Sequence, residues 1–315
     1  WMSKYIVSLK YPRKLFVVDL EAMDCSTFSV PCPSTSIWTI VGDHYLFLTW
    51  RNKAILFDLQ RGQVSDYLPD IPGIFGNMIV VALDSVVYLI GCAYKAYTMS
   101  LEEKVWTAHN SAIERGYGKR YTLIGRRVAL FMNTNYDLSN RSYVISSTQT
   151  MNLFSLDTFT MTSIEVSLPI LGPFCPVTVS NDEILVIGGF ESYSADGIVI
   201  TLKNLNLWRV NVTAAVGEVV GSFTEDFEET YIMSPGTCYK ESAFCISNRQ
   251  IVQVSLPDFT PNLSYLDRTA LRSVLQFAWV YKKAISSEAQ NPRGLQKLHS
   301  NVFRYATRYL KFSSC

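Results

Sequence analysis

The side chains best suited to catalysis or metal binding are scattered along this chain. The three histidines are His44, His109 and His299, and no two of them share a motif. The seven cysteines include no Cys-x-x-Cys pair and have no histidine nearby. Because a transition-metal site needs several imidazole, thiolate or phenolate ligands together, this spacing predicts neither a metal nor another cofactor. An odd, scattered cysteine count is instead typical of reduced thiols in the cytoplasm.

Two charged segments contain the candidate binding residues. The acidic segment contributes Glu225, Asp226, Glu228 and Glu229, which either contact a basic partner or form a solvated loop. The tail from Ser264 to Cys315 carries nine Lys or Arg residues against two acids. Its candidate contacts are Lys297, Arg304, Arg308 and Lys311. So one-sided a charge predicts that the tail binds an acidic protein surface, with nucleic acid as the weaker alternative.

The period of the apolar residues in the tail is that of a helix. The second half of the tail places apolar residues at alternating spacings of three and four, namely Leu295, Leu298, Val302, Tyr305 and Tyr309. This spacing predicts a basic amphipathic helical extension over residues 263–315. The extension would either pack on the rim of the preceding domain or dock onto a partner.

A six-fold repeat defines the elements that precede this tail. Each unit is an apolar run followed by Asp, Ser or Thr and a leucine, and the leucines are Leu20, Leu59, Leu101, Leu156, Leu202 and Leu256. They lie 39, 42, 55, 46 and 54 residues apart. A strand-like unit recurring every 40 to 55 residues predicts a β-propeller with one unit in each blade. The propeller would occupy residues 1–262.

Each repeat also contains earlier strands joined by tight turns. The predicted innermost strands end at turns such as Gly42-Asp43, Asp84-Ser85 and Gly125-Arg126, and that of the sixth blade is placed at residues 231–234. The first repeat starts at its second strand, so we expect the first blade to lack its innermost strand. The ring would then be closed either by a strand upstream of Trp1 or by the segment after Pro261.

One repeat resembles the kelch family. Gly188 and Gly189 follow a predicted second strand, and Trp208 lies some twenty residues further on, where a kelch repeat begins its fourth strand. Trp106 fits the same position in the third repeat, whereas the other repeats lack the glycine pair. The resemblance covers residues 1–262 and implies a degenerate kelch-like propeller. A WD-type propeller fits less well because the chain contains no Trp-Asp dipeptide.

The resemblance implies a binding platform. We therefore predict a non-catalytic scaffold or adaptor for other proteins, a structural component of a larger assembly in the cytoplasm, such as the cytoskeleton. No apolar stretch reaches the roughly 18 residues of a membrane helix, and no small-molecule substrate is expected. The alternative is a propeller enzyme of the galactose-oxidase-like or sialidase-like type. Residues 194–197 resemble part of a sialidase Asp-box, but Gly197 follows Asp196 directly.

Overall fold

In the part of the chain that the structure describes, the regular structure is β-strand arranged as a six-bladed propeller, as the sequence predicts. A computed structural model describes residues 3–10, 13–22, 24–33, 36–72, 78–91, 94–113, 121–132, 136–137, 142–143, 149–195, 198–223, 236–247 and 250–265. These residues contain no helix. A helix of the length and apolarity needed to cross a membrane is therefore not found among them.

The first three blades follow one pattern, in which consecutive strands pair antiparallel. The first blade consists of β1 (Tyr5–Lys10), β2 (Lys14–Asp19) and β3 (Asp24–Ser29). The second consists of β4 (Ile37–Val41), β5 (Tyr45–Trp50), β6 (Lys53–Asp58) and β7 (Gln63–Leu68). The third consists of β8 (Ile79–Leu83), β9 (Val86–Ile90), β10 (Lys95–Ser100) and β11 (Trp106–Asn110).

The last three blades contain two additional hairpin elements. The fourth consists of β12 (Tyr121–Ile124), β13 (Arg127–Met132), β16 (Gln149–Ser155) and β17 (Met161–Val166), with β14 (Tyr136–Asp137) and β15 (Ser142–Tyr143) inserted as a hairpin. The fifth consists of β18 (Leu171–Thr178), β19 (Glu183–Ala195), β21 (Asn206–Asn211) and β22 (Val216–Ser222), with β20 (Ile198–Lys203) paired to β19. The sixth consists of β23 (Thr237–Tyr239), β24 (Ser242–Ser247), β25 (Gln250–Ser255) and β26 (Pro261–Tyr265).

Two strand assignments in the sixth blade differ from the sequence prediction. Its innermost strand is β23, whereas the prediction placed it at residues 231–234, which lie outside the described residues. Its outermost strand β26 continues to Tyr265, three residues past the predicted end of the propeller at 262. The turn that ends the innermost strand is at Lys240 and Glu241. A two-residue turn after a three-residue strand leaves too little apolar sequence for the pattern to be recognised.

One backbone hydrogen bond explains the six-fold repeat. At the end of each third strand, an apolar residue donates its amide N–H to a carbonyl of the turn between the first and second strands. Leu59, for example, donates to the carbonyl of His44 at 2.9 Å, and Leu156 donates to that of Arg126 at 3.0 Å. The turn between the first and second strands is called here the inner turn, and the turn between the third and fourth strands the outer turn. The bond holds the two turns next to each other, at the same end of the blade.

The polar residue before that leucine closes the outer turn. The Asp58 carboxylate accepts hydrogen bonds from the backbone N–H groups of Gln60 and Arg61, both at 2.9 Å. Ser155 accepts from Asp157 and Thr158 in the same way. A short side chain with an oxygen acceptor is what such a turn requires, which is why Asp and Ser recur at this position.

The repeat in the fifth blade lies ten residues later than predicted. There the recurring backbone hydrogen bond is donated by the N–H of Val212 to the carbonyl of Asp182 (2.8 Å). The side-chain oxygen of Asn211 accepts a hydrogen bond from the backbone N–H of Ala214 (2.7 Å). Leu202 lies instead in β20, within a hairpin that extends the second strand. The prediction that Trp208 begins the outer strand is therefore wrong, because Trp208 belongs to the third strand β21. Trp106 does begin its outer strand β11.

The buried residue Asn204 explains this difference. Its side-chain amide donates to the carbonyl of Gly188 (2.8 Å), and its backbone N–H donates to the carbonyl of Gly189 (3.0 Å). Both glycines have positive φ, at 82° and 89°. The second strand thus continues through the glycine pair into the hairpin, and Asn204 returns the chain to the blade.

Hydrophobic clusters between consecutive blades form the core. Tyr5, Val7 and Leu46 share one cluster between the first and second blades, and similar clusters follow between the second and third, third and fourth, fourth and fifth, and fifth and sixth. The predicted repeat residues Leu20, Leu59 and Leu156 are buried, whereas Leu101 and Leu256 are partly buried. Each blade thus packs its apolar face against the apolar face of the next blade, and both faces are buried there.

The first and sixth blades meet through direct polar contacts. The backbone N–H of Ser3 donates to the Thr237 hydroxyl at 3.3 Å, and that hydroxyl lies 3.4 Å from the Ser3 carbonyl. β1 also lies beside β24. The chain divides into two compact units, residues 1–248 with 252–263 and residues 249–251 with 264–315. The helical extension predicted over 263–315 lies, from residue 266 onward, outside the described residues.

Candidate functional site

The charged residues predicted to bind partners lie outside the described residues. They are Glu225, Asp226, Glu228, Glu229, Lys297, Arg304, Arg308 and Lys311. Their roles stay predictions. The described residues contain a different candidate site, which is the central channel of the propeller.

The two described histidines lie in separate blades and make structural contacts. The His44 ring lies beside the Tyr45 ring, with centroids 4.2 Å apart and the two planes tilted by 38°. His109 lies 2.8 Å from the Thr98 hydroxyl and stacks on Phe159 at 4.2 Å, across the boundary between the third and fourth blades. Burial lowers the pKa of His109, so its neutral form is favoured. Within the described ranges, no group of three His, Cys, Asp or Glu side chains is arranged to hold a metal ion.

The channel has a volume of about 610 Å³ and is lined by the innermost strands of the blades. β4 and β8 contribute most of one side, and residues of β12, β18 and β23 complete the other. In the first blade the wall is formed by Ser3, Tyr5, Ile6 and Val7 of the β1 region. A volume of this size is in the range that binds small ligands or short peptides.

Side chains of one blade cover the free backbone edge of the preceding blade around this channel. The Tyr121 hydroxyl of the fourth blade donates to the carbonyl of Val80 in the third (3.1 Å) and lies 3.4 Å from its amide nitrogen. Tyr121 is buried, and desolvation raises its pKa to about 12, so the phenol stays neutral and can donate. The innermost strand would otherwise expose these backbone groups at an unpaired edge.

Hydrogen bonds from side chains of one blade to the backbone of the preceding blade also join the next two pairs of blades. The Thr178 hydroxyl of the fifth blade donates to the carbonyl of Leu123 in the fourth (2.6 Å) and lies 2.8 Å from the Thr122 hydroxyl. The Cys238 thiol of the sixth blade donates in turn to the carbonyl of Thr178 (2.9 Å). Hydroxyl and thiol groups thus follow one another around the channel wall.

Three thiols lie together between the fifth and sixth blades. Cys175, Cys238 and Cys245 belong to one buried cluster. Burial raises the pKa of Cys238 to about 11, and a hydrogen bond with the Cys175 thiol, together with burial, raises that of Cys245. Because a catalytic cysteine needs a lowered pKa, Cys238 and Cys245 are suited to packing rather than to nucleophilic attack.

The carboxylates of the channel lie at one mouth. This end, called here the turn mouth, is formed by the turns at Asp43 and Asp84. The Arg126 guanidinium links Asp84 (3.1 Å) to Asp157 (2.8 Å), so that an ion pair joins the third and fourth blades beside the mouth. These groups are exposed, so the pairs contribute little to stability but fix the charge that an approaching partner meets.

The arrangement is suited to holding backbone and hydroxyl groups. Its walls offer β-strand edges, threonine hydroxyls and apolar side chains such as Trp38 and Ile40. Sequence reasoning missed Tyr121, Thr178 and Thr237, because single hydroxyl residues within apolar strands form no pattern. The predicted innermost strands alone could have indicated that residues on them would line a channel.

Comparisons with known proteins support the architecture. No protein-family model matches the chain, and no curated protein matches its sequence. The chain is similar to the solved structure of YjhT, with a TM-score of 0.55 and 8% identity over 84% of this chain and 97% of that one.

Two further structures are less similar. For the Neurospora crassa Pan2 WD40 domain the TM-score is 0.48 at 12% identity, over 84% of this chain and 77% of that one. For Kuenenia stuttgartiensis hydrazine synthase it is 0.48 at 9% identity, over 81% and 76%. The likeness to YjhT, at 8% identity, shows the fold alone, and the kelch identity stays a prediction.

Proposed function

We propose that this chain is a non-catalytic scaffold for protein–protein interaction, and that the turn mouth of its channel is a contact surface. The observation that carries the proposal is the chemistry of the channel wall. Strand edges, hydroxyls and partly buried apolar side chains bind extended protein segments, because backbone pairing supplies affinity and side-chain contacts supply specificity.

Lysines at the two ends of the blades allow this contact to be mapped. Lys240 lies in the inner turn of the sixth blade, and the carbonyl of Lys4 occupies the equivalent position in the first. Lys53 and Lys95 begin third strands and therefore lie at the opposite end of their blades. The tagged full chain would be purified from its source with bound protein and treated with an amine-reactive cross-linker.

We expect a partner in stoichiometric amount, cross-linked to Lys4 or Lys240 more often than to Lys53 or Lys95. Lys240→Arg keeps the charge but removes the reactive amine, so its cross-links should disappear while the partner is still recovered. Recovery of the chain without a stoichiometric protein partner would contradict the scaffold proposal. Cross-links confined to Lys53 and Lys95 would contradict the assignment of the turn mouth.

We further propose that the basic tail binds an acidic protein surface. The support is its composition, since no acid lies between Pro292 and Cys315 to neutralise Lys297, Arg304, Arg308 and Lys311. Reversing Arg304 and Arg308 to Glu should abolish partner binding at low salt, whereas replacing both with Lys should preserve it. Equal binding by the two variants would overturn the role of the tail.

The proposed location is the cytoplasm, in association with the cytoskeleton as part of a larger assembly. Its support is that the buried residues Cys32, Cys238 and Cys245 form no disulfide in the structure, as is typical of a reducing compartment. A fluorescent fusion of the full chain should sediment with the detergent-insoluble cytoskeletal fraction. Complete recovery in the soluble or the membrane fraction would contradict this.

A further inference from the structure

The connections between second and third strands lie at the end of the blades opposite the turn mouth. In the first blade the amide of Leu20 donates to the carbonyl of Lys4, so β1 is the counterpart of a second strand. The connections β1–β2, β5–β6 and β9–β10 therefore occupy equivalent positions in three consecutive blades. Hydrophobic clusters hold these three blades against one another.

Each of the three connections presents cations to solvent. Arg13 and Lys14 belong to the first, Arg51 and Lys53 to the second, and Lys95 to the third, and all of them are exposed. They are called here the basic surface. Because the connections lie at one end of neighbouring blades, their charges add to a single region of positive potential.

Most of this charge is not neutralised within the chain. Lys53 forms an ion pair with Asp70 at 2.7 Å. Arg13, Lys14 and Arg51 make no ion pair in the part of the chain that the structure describes. The basic surface therefore keeps an excess of positive charge, which attracts an anionic ligand.

The exposed tyrosines of the described residues lie beside these cations. Tyr94 is 56% exposed and directly precedes Lys95. Tyr67 is 74% exposed and pairs in the sheet with Ile55, two residues after Lys53. Aromatic rings of this kind offer flat faces on which nucleobases stack.

The composition of the basic surface favours one class of partner. Protein interfaces have a core that is depleted in charged residues and more apolar than its rim. Interfaces with nucleic acids are more polar and much more positively charged. The exposed valines Val105 and Val216 lie where fourth strands begin, which is the turn-mouth end of their blades. Cations beside exposed aromatic rings, without exposed aliphatic side chains, fit a nucleic acid better than an acidic protein.

We propose that the basic surface binds single-stranded nucleic acid. Its cations would contact phosphates of the strand, and unpaired bases would stack on Tyr67 and Tyr94. The bases of a duplex are already stacked on one another, so these rings favour a single strand. This inference goes beyond the proposed function, because it concerns the opposite end of the blades and a different class of ligand.

The probe is a fluorescein-labelled oligouridylate of about twelve nucleotides, within the range of known single-strand sites. Binding to the full chain would be measured by fluorescence anisotropy at several salt concentrations. We expect saturable binding that weakens as salt rises, with a slope of about 0.7 for each neutralised phosphate. Oligothymidylate of equal length is the second arm. Tighter binding of oligouridylate would identify RNA as the ligand, tighter binding of oligothymidylate would identify DNA, and equal binding would identify single strands of either sugar.

Charge variants test the phosphate contacts. Arg13→Gln combined with Arg51→Gln should weaken binding about tenfold or more and reduce the salt slope by about 1.4, the value for two phosphates. The matched control is Arg61→Gln combined with Lys104→Gln, which removes two charges from outer turns at the turn-mouth end. It should leave binding within about twofold. Replacing Arg13 and Arg51 with Lys keeps both charges and should preserve the salt slope.

Aromatic variants test the stacking contacts. Tyr94→Ala should weaken binding about fivefold or more without changing the salt slope, because it removes a ring and no charge. Tyr94→Phe keeps the ring and should bind like the wild type. Thermal denaturation verifies that each variant is folded. If Tyr94→Ala does not fold, Tyr67→Ala and Tyr67→Phe provide the same comparison.

Several results would overturn the proposal. One is the absence of saturable binding of either strand at low salt. Equal binding of polyglutamate or of a duplex would show that the surface does not select single-stranded nucleic acid. Loss of binding in Arg304→Glu combined with Arg308→Glu, with no effect of the Arg13 and Arg51 variants, would place the nucleic-acid contact in the tail. The partner cross-links at Lys4 and Lys240 test the proposed function separately from all of these results.

Discussion

At the scale of single residues, the channel wall depends on side chains that replace backbone pairing. Tyr121 is the clearest case, because its hydroxyl lies within hydrogen-bonding distance of both the amide and the carbonyl of Val80. Thr178 and Cys238 continue the pattern in the next blades. Each of these groups ties one blade to its neighbour at the point where the innermost strand has no further strand beside it.

Tyr121→Phe should lower the free energy of unfolding by about 1–3 kcal/mol, because it leaves buried backbone groups of Val80 without a partner. The measurement is urea denaturation followed by tryptophan fluorescence. Tyr67→Phe is the matched control, since Tyr67 is 74% exposed and its change should stay within about 0.5 kcal/mol. Equal midpoints for the two variants would show that the Tyr121 hydroxyl contributes nothing to stability.

The same residue predicts a dependence on pH. Burial raises the pKa of Tyr121 from its ordinary value of 10.0 to about 12. Its contribution to stability is therefore fully present below pH 10 and is lost as the pH rises toward 12, because the unfolded chain ionises first. Tyr121→Phe should lose stability less steeply than the wild type across this range. Parallel slopes in denaturation series from pH 9 to 12 would contradict the assignment.

At the scale of elements, each blade is defined by one end of its third strand. The apolar residue there is buried or partly buried between blades, and the polar residue before it closes the outer turn. Leu59→Ala should cost about 2–5 kcal/mol, because Leu59 is only 3% exposed and its loss leaves a cavity. Val105→Ala in an exposed turn is the control, with an expected change below about 0.5 kcal/mol in the same thermal melt. An unchanged melt for Leu59→Ala would mean that the role of the repeat leucines in the core has been misread.

The sequence predicts the strands well where apolar runs and turn residues mark their ends, and poorly where the repeat pattern occurs outside a third strand. The ends of β8 (Ile79–Leu83) and β12 (Tyr121–Ile124) were predicted correctly, because the turns Asp84-Ser85 and Gly125-Arg126 follow their apolar runs directly. The repeat position of the fifth blade was misassigned because Thr201-Leu202 has the residue types of the repeat. The structure uses Asn211-Val212 instead, since asparagine supplies the same acceptor and valine the same buried contact. The hairpin has no counterpart in the other repeats and could not be predicted from them.

At the scale of the whole molecule, the first and sixth blades meet to close the ring, and no described strand belongs to the sheets of both blades. Ser3 and Thr237 make the polar contact between the first and sixth blades. Sequence reasoning predicted the incomplete first blade but left the closure open between two segments. It could not identify Thr237, because a contact between residues 234 positions apart leaves no local pattern.

Thr237→Val should loosen this closure. It removes the hydroxyl that contacts Ser3 and should cost about 1 kcal/mol. Amide exchange in β1 should become faster, while exchange in β8 and β9 of the third blade stays unchanged. Thr107→Val, in the outer strand β11, is the control and should alter neither region. Uniformly faster exchange in all blades would indicate global destabilisation instead of local opening.

The bond between each third strand and its inner turn also has an evolutionary consequence. It fixes the number of residues at one end of all six blades, so a single insertion there would misalign a whole sheet. The connection between second and third strands carries the added hairpins β14–β15 and β19–β20 at the other end. Descendants of this gene should therefore keep the segment lengths of the turn mouth, while insertions and deletions accumulate at the opposite end of the blades.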